Sequence, residues 1–295
     1  MEKQSVFCGS ATALVTPFRG GTVDFEALDR IIEFQIDGGS DALVICGSTG
    51  EVTALRDSEK RALIEHTVER TAGRLPVIAG TSSADTAYAV SLSRYAEEVG
   101  ADALLLATPY YSKPTPRGLI ESFSAIADAV KLPCILYNVP SRTGVTIPMS
   151  VYRELVRREN IVAVKEAGGC ISTVAEIAAE FGDVMDIYCG NDDQTVPILA
   201  LGGKGVISVM SNIIPRETHE ICRLWFEGKV EESRRLQLNN LDLAKAIFIE
   251  TNPIPIKAAM AMMGLCSDEM RLPLCVMEEE HIKRLGSVLR RHALI

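Results

Sequence analysis

The amino-acid sequence predicts an α/β fold, a (β/α)8 TIM barrel with a C-terminal helical appendage. Three observations carry that prediction. Eight short apolar runs are spaced along residues 11–209. The runs are followed by helical patterns in which apolar residues recur at three and four. The runs themselves are apolar throughout rather than alternating, as in parallel strands covered on both faces. Units repeating at intervals of roughly 20–35 residues fit an eightfold barrel better than a doubly wound open sheet, the alternative architecture for such a pattern.

The first run, 11–16 (ATALVT), precedes a helical segment at 24–39 (DFEALDRIIEFQIDGG) that closes on two glycines. The run 41–46 (DALVIC) leads into 58–73 (SEKRALIEHTVERTAG), and 76–79 (PVIA) leads into 86–100 (TAYAVSLSRYAEEVG), each ending in glycine. Runs 103–107 (ALLLA) and 134–138 (CILYN) follow. The sixth, 161–165 (IVAVK), precedes 172–182 (STVAEIAAEFG), and 186–189 with 205–209 completes the eight. After residue 209 the alternation stops. From 227 onward the chain is all-helical, with NPIPIK at 252–257 as a turn-like interruption. Residues 1–226 are therefore assigned to the barrel and 227–295 to a C-terminal helical region.

The 295 residues carry a net charge of −9 with no acidic or basic block, which gives no electrostatic footprint for nucleic acid. The opening stretch MEKQSVFCGSATALV has no basic segment before an apolar run, and no stretch reaches the roughly 18 uninterrupted apolar residues of a membrane span. A cytoplasmic protein is expected, without nucleic-acid or membrane partners. The eight cysteines form no CxxC pair and are expected to be reduced and structural. The four histidines show neither HxxxH nor HExxH spacing, so no sequence-local metal site is expected.

Barrel enzymes gather their chemistry at the C-terminal ends of the strands. Here those ends read CGSTGE, ATPYYSKP, LYNVPSRTG, VKEAGG, CGND and ISVMSN, with Lys165 as the one lysine at a strand end. Desolvation in an apolar barrel mouth lowers an amine's pKa and exposes the neutral form that attacks carbonyls. Position alone leaves two readings open, a Schiff-base nucleophile or a lysine paired to Glu166 or reaching to solvent. Tyr137, on the adjacent strand, can donate and accept a proton, or simply pack its ring. The GSTG loop offers Ser48, Thr49 and backbone N–H groups to a small anion, though a glycine-containing turn without ligand has the same pattern. Arg142 can grip a carboxylate bidentately or remain an exposed loop arginine. Tyr110 and Tyr111 suit an interface or loop packing.

Seven stretches occur together in one order: GSTGE at 47–51, PYYSKP at 109–114, YNVPSRTG at 137–144, VKEA at 164–167, GND at 190–192, GVISV at 205–209 and NPIPIK at 252–257. The set resembles the 4-hydroxy-tetrahydrodipicolinate (dihydrodipicolinate) synthase family, over residues from about 9 to about 275. The resemblance implies a lyase of the class I aldolase type in lysine and diaminopimelate synthesis. Lys165 would form an imine with pyruvate, and the derived enamine would attack L-aspartate 4-semialdehyde. Tyr137 would carry protons, with Ser48 linking its hydroxyl to that of Tyr111 from a neighbouring subunit. Thr49 and Ser48 would hold the pyruvate carboxylate, Arg142 that of the semialdehyde, and Gly190 and Ile207 would line the pyruvate pocket. No cofactor or metal is implied beyond the covalent imine. The assembly implied is a homo-oligomer, a tetramer built from dimers.

N-acetylneuraminate lyases and keto-deoxy sugar acid aldolases share the lysine, the tyrosine and the GSTGE-type loop, and form the alternative. Ser48 departs from the threonine usual in the synthases, whereas Arg142 and NPIPIK are synthase features. In lysine-inhibited members a cleft presents histidines, an asparagine and a glutamate. The matching positions here are Asp57, Lys60, Ala84 and Tyr88, with only Tyr110 of the polar set retained, so weak or absent lysine inhibition is expected.

Overall fold

Eight parallel strands close into a ring: β1 (Gly9–Ala13), β2 (Ala42–Ile45), β3 (Val77–Gly80), β4 (Ala103–Ala107), β5 (Cys134–Asn138), β6 (Ile161–Glu166), β7 (Asp186–Cys189) and β8 (Gly205–Ser208). The structure is a computed structural model and describes residues 5–295. The ring closes by pairing Ala11 with Ala42 on one side and Gly9 with Gly205 on the other. Its tightest approach is at that second seam. A Cβ built on Gly205 would lie 1.8 Å from the carbonyl oxygen of Gly9, and its φ of +154° already favours glycine.

Because strand side chains alternate, each strand feeds two cores. Ala11, Ala42, Ile78, Ala103, Ile135, Ala163, Tyr188 and Ile207 pack inside the barrel. Leu43, Val77, Leu104, Leu136, Val164 and Ile187 face outward under the helices. Small inner residues on β1, β2, β4 and β6 make room for the rings of Tyr137 and Tyr188. Phe7 closes the bottom, its ring stacked on Tyr188 at 4.2 Å between centroids.

The predicted helices form where their periodicity placed them, over Phe25–Asp37, Asp57–Thr71, Thr86–Glu98 and Ile171–Phe181. Asp24 caps the first by accepting from the N–H of Ala27, and Asp85 caps the third by accepting from Ala87. The first strand differs from expectation, since it spans Gly9–Ala13; Leu14 still donates its N–H to the carbonyl of Val44 at 3.0 Å, and Val15 and Thr16 lie beyond the strand. NPIPIK differs too. Only its Asn252–Pro253 portion interrupts, and Ile254–Met262 is a continuous helix whose first turn accommodates Pro255, where a missing N–H costs nothing. Four cysteines (46, 134, 189 and 222) are buried as small hydrophobes, but Cys8, Cys170 and Cys275 are exposed, and all eight are free.

After Phe226 the chain continues as helices Val230–Asn239, Leu241–Ala246, Ile254–Met262 and Glu279–Arg291. They do not form a detached body. Leu243, Ile247, Ile256, Ala259 and Leu285 join the same apolar cluster as the barrel helices. The segment 248–252 thereby reaches over the C-terminal mouth of the barrel, where Phe248, Glu250, Thr251 and Asn252 form one wall of a cavity.

Candidate active site

At the mouth of the barrel lies a cavity of about 330 Å3 with Lys165 and Tyr137 in its wall. The parallel register sets Tyr137 of β5 directly beside Lys165 of β6. Strand alternation turns Lys165 inward with Ala163, and its Nζ sits 4.4 Å from the centre of the Tyr137 ring. The same alternation turns Glu166 outward, where it accepts from Asn138 Nδ2 at 2.8 Å and from the N–H of Gly168 at 2.6 Å. Lys165 and Glu166 are thus not an ion pair. The neighbouring carboxylate is committed elsewhere, and the alternative of a lysine reaching to solvent fails because only 4% of Lys165 is exposed.

Burial lowers the Lys165 pKa to about 8, outweighing the opposing pull of Asp192 and assisted by the positive charge of Arg142. Asp192 is itself sealed away, accepting from Ser208 Oγ and from the N–H groups of Val209 and Met210. Tyr137 is shifted upward by burial, against the smaller influences of Arg142 and a hydrogen bond with Ser48. Its phenol therefore stays protonated at neutral pH, beside an amine that a modest change in environment can deprotonate.

The GSTG loop is a single 310 turn over Ser48–Gly50, followed by Glu51 in the left-handed region (φ 52°) and a second turn over Val52–Ala54. The first N–H groups of such a turn have no partner inside it and face an incoming anion. Close behind, Gly80 leaves space for the carbonyl of Cys46, which a Cβ would approach to 2.3 Å. Thr49 is fixed from across the cavity, its Oγ1 accepting from Asn252 Nδ2 at 2.9 Å. Arg142, on the short helix Pro140–Thr143, donates from Nη2 to the carbonyl of Asn252 at 2.9 Å and lines the cavity.

Gly190 lines the cavity as expected, in a place where a Cβ would lie 2.6 Å from that of Ala167. Ile207 does not. Its inward side chain is fully enclosed in the barrel interior, and Val209, two residues further on, takes the position on the wall. Tyr111 is not brought to the site within one subunit, being 93% exposed on a loop with φ of +69°. Tyr110 instead lines a second cavity of about 220 Å3 on the far side of Ser48 and Tyr137. Sequence reasoning missed Asn252, Glu250 and the Glu51–Lys257 pair, although 252–257 and 47–51 stood out as motifs. In that pair Lys257 Nζ donates to Glu51 Oε1 at 2.6 Å with both side chains enclosed.

Among the described residues no group of three or more His, Cys, Asp or Glu is arranged to hold a metal ion, and no helix is long and apolar enough to cross a membrane. A barrel whose mouth holds a desolvated amine against a phenol defines a class, the barrel enzymes equipped to form an imine with a carbonyl compound. Within that class the chain belongs to the dihydrodipicolinate synthetase family, whose model matches residues 6–292. It is 50% identical to the 4-hydroxy-tetrahydrodipicolinate synthase of Acetivibrio thermocellus over 99% of this chain and 100% of that one. The crystal structure of dihydrodipicolinate synthase from Aquifex aeolicus superposes with a TM-score of 0.96 at 46% identity, covering 98% of this chain and 99% of that one. The chloride-inhibited enzyme from Acinetobacter baumannii, solved in complex with pyruvate, superposes with a TM-score of 0.95 at 37% identity, covering 98% and 99%.

Proposed function

We propose that this chain condenses pyruvate with L-aspartate 4-semialdehyde to give 4-hydroxy-tetrahydrodipicolinate, the entry to diaminopimelate and lysine synthesis. The observation that carries the reading is the enclosed amine of Lys165 against the Tyr137 ring. With a pKa of about 8, roughly one amine in ten is neutral at pH 7, against about one in 2,500 for an unperturbed lysine.

Neutral Nζ attacks C2 of pyruvate, whose carboxylate sits on the Ser48–Thr49 turn. Tyr137 protonates the departing hydroxyl, so that water leaves and the imine forms. Loss of a proton from the C3 methyl gives the enamine. C3 then bonds to the aldehyde carbon of the semialdehyde, held through its carboxylate by Arg142, and the aldehyde oxygen takes up a proton as a hydroxyl. The substrate ammonium then gives up a proton to solvent, and the neutral amine attacks C2, closing the ring and passing a proton to Lys165 Nζ as that amine is expelled. No cofactor enters any step. Tyr111 of a second copy, reaching towards Ser48, would complete the proton path, which fits a homo-oligomer, a tetramer built from dimers, working in the cytoplasm. Residues 1–226 act as the catalytic barrel and 227–295 as the helical region that closes its mouth.

Borohydride reduction in the presence of pyruvate, read by intact mass, tests the imine. One pyruvate-derived adduct is expected, lost in Lys165→Ala; an adduct that survives that change, or none at all, defeats the mechanism. Turnover with the semialdehyde against N-acetylmannosamine tests substrate choice, and a preference for the sugar overturns it.

A further inference from the structure

The cavity wall carries one guanidinium, Arg142, and among the described residues one carboxylate, Glu250. Glu250 is held from behind by the C-terminal helix: His281 Nδ1–H donates to Oε1 at 2.7 Å, and the N–H of Glu278 donates to the same oxygen at 3.0 Å. The other oxygen, Oε2, takes no hydrogen bond from a described residue, and the side chain is only 15% exposed. A well-oriented, largely desolvated carboxylate on the wall of a small cavity is a strong partner for a cation.

We infer that Glu250 is a specificity-determining residue which binds the α-ammonium of the aldehyde substrate. This rests on the function proposed above. In an amino-acid aldehyde the ammonium and the carboxylate share one carbon, so the groups that receive them must stand close together. Arg142 and Glu250 line the same cavity of about 330 Å3, and Arg142 donates to the carbonyl of Asn252, two residues along the chain from Glu250. The pair is complementary to a zwitterion. Sugar aldehydes carry no ammonium and would leave the carboxylate without a partner, which is a physical basis for rejecting them. The arrangement also gives the last helix, Glu279–Arg291, a part in substrate choice through His281.

The test compares L-aspartate 4-semialdehyde with succinate semialdehyde, the same skeleton without the amine. In Glu250→Gln, the KM for the amino aldehyde should rise about ten- to a hundredfold, as for the loss of one charged hydrogen bond, with the KM for pyruvate unchanged. Inhibition by succinate semialdehyde should stay at the wild-type value. An unchanged KM, or an equal weakening of both aldehydes, overturns the inference. If Glu250→Gln does not fold, His281→Asn carries the same comparison, with a smaller loss of discrimination between the two aldehydes expected and none refuting it. Borohydride trapping of pyruvate on the wild type separates the two readings. An adduct with unaltered aldehyde discrimination in the variant sinks only the role of Glu250, whereas no adduct sinks the proposed function.

Discussion

Replacing Lys257 by methionine isolates the contact that ties the C-terminal region to the GSTG loop. Lys257 and Glu51 are both essentially unexposed, with 2.6 Å between Nζ and Oε1, and burial lowers the Lys257 pKa even with that partner beside it. Removing the ammonium leaves Glu51 enclosed, with the N–H of Arg271 at 3.1 Å as its remaining donor. Breaking one side of a buried pair costs about 3–5 kcal/mol, because a charge is left without its counterion. At about 2–4 °C per kcal/mol, the expected fall in Tm is roughly 6–20 °C. Glu51 is also the left-handed residue between the two 310 turns, so the Ser48–Thr49 turn should loosen and the KM for pyruvate should rise. Thermal denaturation and steady-state kinetics measure both. The double variant Glu51→Leu with Lys257→Met should recover most of the lost Tm, since an apolar pair removes the stranded charge. By contrast Arg117→Gln breaks an exposed pair, 88% and 63% accessible, and should leave the Tm at the wild-type value. A wild-type Tm for Lys257→Met, or a double variant no more stable than the single one, would refute the reasoning.

In the proposed mechanism Lys165 attacks as the neutral amine, so the rate of pyruvate trapping should rise with pH, reach half its maximum near pH 8, and fall about tenfold per unit well below that; a profile centred near the ordinary lysine value would contradict the desolvation argument. Tyr137→Phe should lower kcat by about 10²–10⁴-fold, the usual scale for a lost proton carrier, while Lys165 remains labelled by pyruvate and borohydride. Lysine should bind weakly or not at all in a calorimetric titration, since Asp57 is already engaged by Tyr88 and Arg61 and Lys60 lies 5.1 Å over the Tyr88 ring. Saturable sub-millimolar binding would show that these groups part for the ligand. Gly205→Ala, which drives a methyl into the Gly9 carbonyl, should destabilise by on the order of 3 kcal/mol and be seen in denaturant melts.

Most of the barrel could be read from the sequence, because a strand buried on both faces is a local property of four to six consecutive side chains. IVAVK announced both the sixth strand and the amine at its end. The period of two then sets Lys165 and Glu166 on opposite faces of a strand that extends through Glu166, which removes the ion pair between them. Ile207, enclosed in the barrel rather than on the cavity wall, illustrates a related point. A side chain on the inner face of a strand can stand in the packed interior or in the open mouth, and residue type does not distinguish the two depths.

The sequence by itself determined the eight strands, the helices that follow them, and the chemistry-bearing residues at their ends, since each follows from periodicity and from where charge interrupts an apolar run. Only the tertiary structure decided what stands opposite those residues. Thr49 meets Asn252, and Glu51 meets Lys257, across separations of 203 and 206 residues. Glu250 meets His281 from a helix that periodicity describes only as amphipathic and acidic at its start. A buried polar group has to find a partner, but its own sequence neighbourhood specifies only that need, and the folded chain supplies which residue meets it.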